Sequence, residues 1–266
     1  MSAKKKASRK RLNTTTLRLP HLETRFEFRD FLKVFALALA CFVFFMAIFQ
    51  FVPSAGDILA GFHPAIAFLF QYLLQFVILF FPLWFFVVDK YSASLRDFGF
   101  KKVPVWTLVK TVIFCYLLYL LVSFLIINLL SYTGFELPGF QDQQSYLPFF
   151  GYDALGLTTA FLIIAILAPF LEELFFRGFI YRIFIKTWPV WLGSILSALL
   201  FGLIHFQLQT IIPLFILGLI LNFAYQKTGS VWTSMAFHSF NNSIAFALDL
   251  YLYYHPEFLE NLELFS

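Results

Sequence analysis

The chain has 266 residues, is 61% hydrophobic and 21% aromatic, carries only 13% charged residues and has a formal charge of +4. Its mean hydropathy is +0.81. Soluble domains carry about 25% charged residues, and no soluble core encloses 40 Phe side chains, so a water-soluble globular domain is excluded. What remains is an all-α, polytopic integral membrane helical bundle.

The first 33 residues hold ten of the nineteen Lys and Arg, beginning with Lys4, Lys5, Lys6, Arg9, Lys10 and Arg11. The stretch is too long and too polar for a signal peptide, and no small-residue cleavage site follows the first apolar run. Residues 1–33 therefore read as a basic cytoplasmic tail. Its last part, with Leu22, Phe26 and Phe28 among charges, is expected to lie along the membrane interface.

Apolar runs follow at about 34–52, 64–88, 106–130, 155–180, 190–206, 210–225 and 230–252. In lipid every backbone group must be satisfied within the segment, and these runs lack the polar alternation of barrel strands, so all are expected to be helices. About seven crossings result. The fifth and sixth are short and joined only by Gln207, Leu208 and Gln209, so they form a hairpin that need not cross fully. The division is a tail (1–33), three N-terminal membrane helices (34–130), an extramembrane loop (131–154), a core segment (155–252) that holds the polar residues discussed below and an acidic tail (253–266). Cys41 and Cys115 lie inside apolar runs and suggest neither a disulfide framework nor a metal site.

The loops support the same map. Those at 89–105, 181–189 and 226–229 contain Lys or Arg; those at 53–63, 131–154 and 207–209, and the tail from 253, contain none. This alternation predicts a cytoplasmic N-terminus and an acidic C-terminus (Glu257, Glu260, Glu263) on the opposite side. Trp84, Trp106, Trp188, Trp191 and Trp232 fall near run ends, as interfacial aromatics do. The partner implied by this map is the lipid bilayer; nothing points to nucleic acid.

The fourth run contains Glu172, Glu173 and Arg177. A charged group in the bilayer core costs roughly 2.5–3.5 kcal/mol on insertion scales, so such a cluster is a functional-site hypothesis. Arg177 is four residues after Glu173, the spacing at which the two meet on one helix face. They are expected to neutralise each other and leave Glu172 unpaired. A buried ion network that merely joins helices accounts for the pair but not for the third charge.

His21, His63 and His255 lie outside the apolar runs; His205 and His238 lie inside them. His238 shares a helix face with Asn242, and Phe201 stands one turn before His205. Asp249 is a weaker candidate near the end of its run, and Ser234 lacks the surroundings of a nucleophile. A desolvated carboxylate can act as a general base towards water, with a histidine holding that water or sharing its proton. A histidine and an amide can donate to an oxyanion. Such a set suits hydrolysis of a peptide bond in or beside the membrane. The alternative is an open zinc site on Glu172, His205 and His238. No His-Glu-x-x-His run is present, and an Asn amide is a poor zinc ligand. No cofactor is therefore favoured, with divalent zinc as the alternative.

Glu-Glu-x-x-x-Arg (Glu172, Glu173, Arg177), Phe-x-x-x-His (Phe201, His205) and His-x-x-x-Asn (His238, Asn242), in order on consecutive apolar segments, resemble the CPBP family. These are the CAAX proteases and bacteriocin-processing (Abi) enzymes, which include type II CAAX prenyl endopeptidases. The resemblance covers about residues 155–248 and implies an intramembrane endopeptidase acting on a membrane-associated, prenylated or amphipathic substrate. It implies that Glu172 activates water with His205, that His238 and Asn242 form an oxyanion hole, and that Glu173, Arg177 and Phe201 support them. It favours a metal-free glutamate mechanism. Some members serve in bacteriocin self-immunity or as scaffolds, which makes a non-catalytic membrane protein the competing class. A proton-relay transporter fits less well, because no internal repeat is present. One difficulty stands: at 1.5 Å per residue Glu172 lies roughly 12 Å and His205 roughly 20 Å from the positive side.

Overall fold

The computed structural model describes residues 19–51, 61–133 and 145–257. The basic stretch at 4–11, residues 134–144 of the long loop, and Glu260 and Glu263 lie outside the described residues. Each apolar run forms a helix, and the described residues contain no strand. The helices are α1 (Phe28–Phe51), α2 (Pro64–Leu83, continued by a π turn over Trp84–Asp89), α3 (Val105–Thr133), α4 (Ala154–Thr187), α5 (Val190–Leu203), α6 (Ile211–Thr228) and α7 (Val231–Tyr254).

By length and composition, five of these can cross a membrane: α1, α2, α3, α4 and α6. The expected seven crossings are not established. The α5 helix has 14 residues, about 21 Å of rise against a hydrocarbon core of about 30 Å. The α7 helix has 24 residues but carries Thr233, Ser234, His238, Asn241, Asn242 and Asp249, so it is long enough and too polar. Large apolar side chains such as Phe44, Leu73, Leu121 and Phe124 are exposed on α1 to α3, the surface expected of helices whose solvent is lipid.

The fourth run continues beyond its expected end at 180. Arg182 and Lys186, which the sequence places in a loop, sit on the last turns of α4, because the chain before α1 supplies them with acceptors. Arg182 donates to the carbonyls of Leu22, Glu23 and Asp97, and Lys186 to that of Phe26 at 2.9 Å. Lys101 donates to the His21 carbonyl at 2.8 Å. Leu22 and Phe26 are consequently buried in the core rather than spread along the interface. The Lys- and Arg-bearing loops thus meet at one end of the bundle around residues 19–27.

This extension reconciles the two depths. Glu172 lies fifteen residues before Thr187, and His205 fifteen residues after Val190, roughly 22 Å along each helix path at 1.5 Å per residue. The short α5 ends near the level at which α4 carries its carboxylates. Its partner α6 lies very close: a Cβ on Gly218 would stand 3.0 Å from the Ala198 Cα. The α6 helix stops at Gly229, whose left-handed φ of 68° suits a residue without Cβ.

At the opposite end, residues 145–151 pack over the start of α4. Leu147 and Phe150 are buried with Ala160 and Ile163. The Ser145 hydroxyl donates to Asp249 Oδ2 at 2.8 Å and the Tyr146 hydroxyl to Gln207 Oε1 at 3.0 Å. The segment therefore ties the end of α7 to the turn after His205. Asp153 caps α4, accepting from the Gly156 N–H at 2.7 Å and from His63 Nε2 at 2.8 Å. The Gly156 N–H, with His63 second, holds the Asp153 carboxyl below the usual carboxylate range.

Candidate active site

Two π turns, over Leu162–Leu167 and Phe176–Ile180, bracket the eight α-helical residues Ala168–Phe175 that carry Glu172 and Glu173. Such turns insert a residue into the helical register and are frequent at functional sites. Here they set which faces of α4 the two carboxylates occupy.

Glu173 and Arg177 are fully buried and joined through Arg177 Nη1 and Glu173 Oε1 at 2.8 Å. The pair is not isolated. Arg177 Nη2 donates to the Gly218 carbonyl of α6 at 3.0 Å, and His238 Nδ1 of α7 donates to Glu173 Oε1 at 2.9 Å. The network therefore holds α4, α6 and α7 together. Charges removed from water are tolerated only with partners of this kind.

Phe201, wholly buried on α5, is the apolar centre of the site. The Arg177 guanidinium lies 4.8 Å from its ring centroid, within cation–π range. The rings of Phe176, His205 and His238 meet it edge-on at 5.0, 5.2 and 5.8 Å. One side chain thus orients both histidines.

The hydrogen bonds fix how each histidine presents itself. His205 Nδ1 lies 2.8 Å from the Phe201 carbonyl. A carbonyl only accepts, so Nδ1 carries a proton, and in the neutral imidazole the lone pair is on Nε2. His205 is followed by Phe206 with a left-handed φ of 54°, rare for a bulky residue and a mark of functional constraint. The Phe206 ring stacks on Phe42 at 5.9 Å, which holds that turn against α1. His238 directs Nδ1 to Glu173, and its Nε2 stands 3.8 Å from Glu172 Oε2.

Glu172 differs from its neighbour. Its side chain is 25% exposed where that of Glu173 is 0% exposed. It opens onto an apolar cleft between α2 and α4, also lined by Tyr72, Phe76, Leu79, Leu171 and Phe175. Sequence reasoning missed Tyr72. Its hydroxyl is buried without a hydrogen-bond partner, and it lies in the field of the Glu172 carboxylate. A single Tyr in an apolar run gives no signal in the sequence.

The sequence groups His238 with Asn242, but the two side chains bond to different partners. Asn242 Nδ2 donates to the Ile164 carbonyl at 3.0 Å. Asp249 is engaged by Ser145, and the Ser234 hydroxyl donates to the Val231 carbonyl at 3.0 Å. Among the described residues no group of three or more His, Cys, Asp and Glu side chains is placed to hold a metal ion. The Nδ1 atoms of both histidines are committed to protein acceptors, which leaves Nε2 as the atom through which either could hold a metal ion.

Residues 154–244 match the family described as "Type II CAAX prenyl endopeptidase Rce1-like". The match covers about a third of the chain and contains every residue of the site except Tyr72 and the rest of the α2 wall. A curated relative, an uncharacterized 24.3 kDa protein of Escherichia coli, is 38% identical over 82 residues, which are 29% of this chain and 38% of that protein. The chain thus spans well under half of that relative's length. No solved structure matches. The helical segment at 154–244 is thus similar to Rce1-like domains, a likeness consistent with the CAAX protease family.

Proposed function

We propose that the protein is an intramembrane endopeptidase in which Glu172 activates water against a peptide bond of a membrane-associated protein or peptide. The observation that carries this reading is the division of labour between the two carboxylates. Glu173 is sealed into a hydrogen-bonded network, whereas Glu172 faces His238 Nε2 and opens onto an apolar cleft inside the membrane region. A merely structural charge cluster has no need of its second carboxylate.

In the reaction Glu172 takes a proton from water and the resulting hydroxide attacks the carbonyl carbon. The Nε2 lone pair of His205 helps to hold that water. The carbonyl oxygen gains negative charge, stabilised by donors on α7. The C–N bond breaks as the leaving amine takes up the proton held by Glu172. Arg177 and Glu173 act by fixing His238, and Phe201 by fixing both imidazoles. The cleft walls suit an apolar or lipid-modified segment of the substrate. The end of the bundle that gathers Lys101, Arg182 and Lys186 faces the cytoplasm.

Purified protein in lipid nanodiscs, given a quenched-fluorescent prenylated or amphipathic peptide, tests this. Cleavage that persists in a chelator and disappears in His205→Ala supports the reading. Activity lost to the chelator and restored by zinc replaces the glutamate mechanism with a metal one, and no cleavage of any such peptide defeats the peptidase reading.

A further inference from the structure

The π turn in α4 is closed by the Ala168 N–H, which bonds to the Ile163 carbonyl five residues back. The next N–H in that register would belong to residue 169 and would bond to the Ile164 carbonyl. Residue 169 is proline and has no N–H. Ile164 is thereby deprived of its helical donor in a region where water does not replace it, and a buried carbonyl left so is costly. The side chain that fills the position comes from another helix: Asn242 Nδ2 lies 3.0 Å from the Ile164 oxygen.

We infer that Asn242 is a positioning residue for Glu172. Its amide replaces the backbone donor that Pro169 lacks, and it stabilises the break in α4 three residues before the reactive carboxylate. Asn242 is one turn beyond His238 on α7, and His238 bonds to Glu173 at 2.9 Å. The two side chains are therefore successive rungs between α7 and α4, one on each side of Pro169. The first sets the helix break and the second places an imidazole next to Glu172. The inference therefore assigns Asn242 to the break in α4, through the Ile164 carbonyl, in place of the oxyanion role that the family resemblance implies.

The inference rests on the peptidase reading only for its activity arm, and a rescue experiment separates the two. Asn242→Ala, Pro169→Ala and the double variant are compared in nanodiscs by Tm and, on the fluorogenic peptide, by kcat and KM. Asn242→Ala is expected to lower Tm by several degrees and kcat at least 10-fold with KM little changed. Pro169→Ala restores an N–H at the orphaned register. In the double variant it should recover most of the lost Tm and bring kcat to within about 3-fold of Pro169→Ala alone. A double variant as unstable as Asn242→Ala overturns the inference. So does one with Tm restored and turnover still absent, which would mean that Asn242 acts on the substrate rather than through Ile164. If no form cleaves any peptide, the peptidase reading falls while the Tm comparison still decides whether Asn242 replaces the missing donor.

Discussion

Arg177 spends its two terminal nitrogens on different helices, Nη1 on Glu173 and Nη2 on the Gly218 carbonyl, with its guanidinium lying against Phe201. Breaking a buried pair from one side leaves an uncompensated charge, at a cost of about 3–5 kcal/mol. Arg177→Ala should therefore reduce folded yield and Tm severely; normal yield with turnover alone lost would contradict this. Glu172 makes no such contribution, and its replacement should leave Tm close to that of the parent protein. The Tyr72 hydroxyl, buried without a partner beside the cleft, gives a third contrast. Tyr72→Phe removes an unsatisfied polar group, so Tm should hold or rise, and a marked fall in Tm would show that the hydroxyl has a structural partner.

At the scale of elements, function depends on where α4 is interrupted and how closely α5 approaches α6. Gly218 admits that approach, since a Cβ there would meet the Ala198 Cα at 3.0 Å and its Cβ at 3.1 Å. Gly218→Val should push α5 away, shift Phe201 with both histidines, and lower Tm and turnover together; unchanged values for both would show that the helices can give. The start of α4 offers a pH test. The Asp153 carboxyl lies below its usual range, so its stabilisation is present above the ordinary Asp value and is lost as pH falls through the folded value. Asp153→Asn should have the lower Tm at pH 7, with the gap closing below about pH 4; a gap independent of pH would contradict the assignment. The helices themselves were legible in the sequence, because seven apolar runs leave the backbone no other choice in lipid. The end of α4 was not, since Arg182 and Lys186 look like loop cations until the carbonyls of Leu22, Glu23 and Phe26 are seen to receive them. The site was legible as residue types: Glu172, Glu173, Arg177, His205 and His238 stand out as polar groups in apolar runs. The Glu173–Arg177 pair was legible too, from its i,i+4 spacing. The bonds of Arg177 to the Gly218 carbonyl, of His238 to Glu173 and of Asn242 to the Ile164 carbonyl were not, because no spacing rule reveals contacts between helices.

Among the described residues, Lys101, Arg182 and Lys186 gather at one end of the bundle, Asp153 and Asp249 stand at the other, and one small interior site holds Glu172, Glu173 and Arg177. The cationic end binds the chain before α1, burying Leu22 and Phe26. Arg182→Ala should expose residues 19–27 to protease while leaving α5 and α6 protected; cleavage no faster than in the parent protein would show the segment to be held by its apolar contacts alone. The membrane helices then carry the carboxylates to a depth that α5 reaches only because it is short. The most direct measurement is single-turnover cleavage of the fluorogenic peptide in nanodiscs by the parent protein and by Glu172→Gln, which keeps the side chain's shape and removes the base. We expect turnover to fall by about 10²–10⁴ with Tm and peptide affinity unchanged. Cleavage by Glu172→Gln at the parent rate would contradict the assignment of Glu172 as the group that activates water.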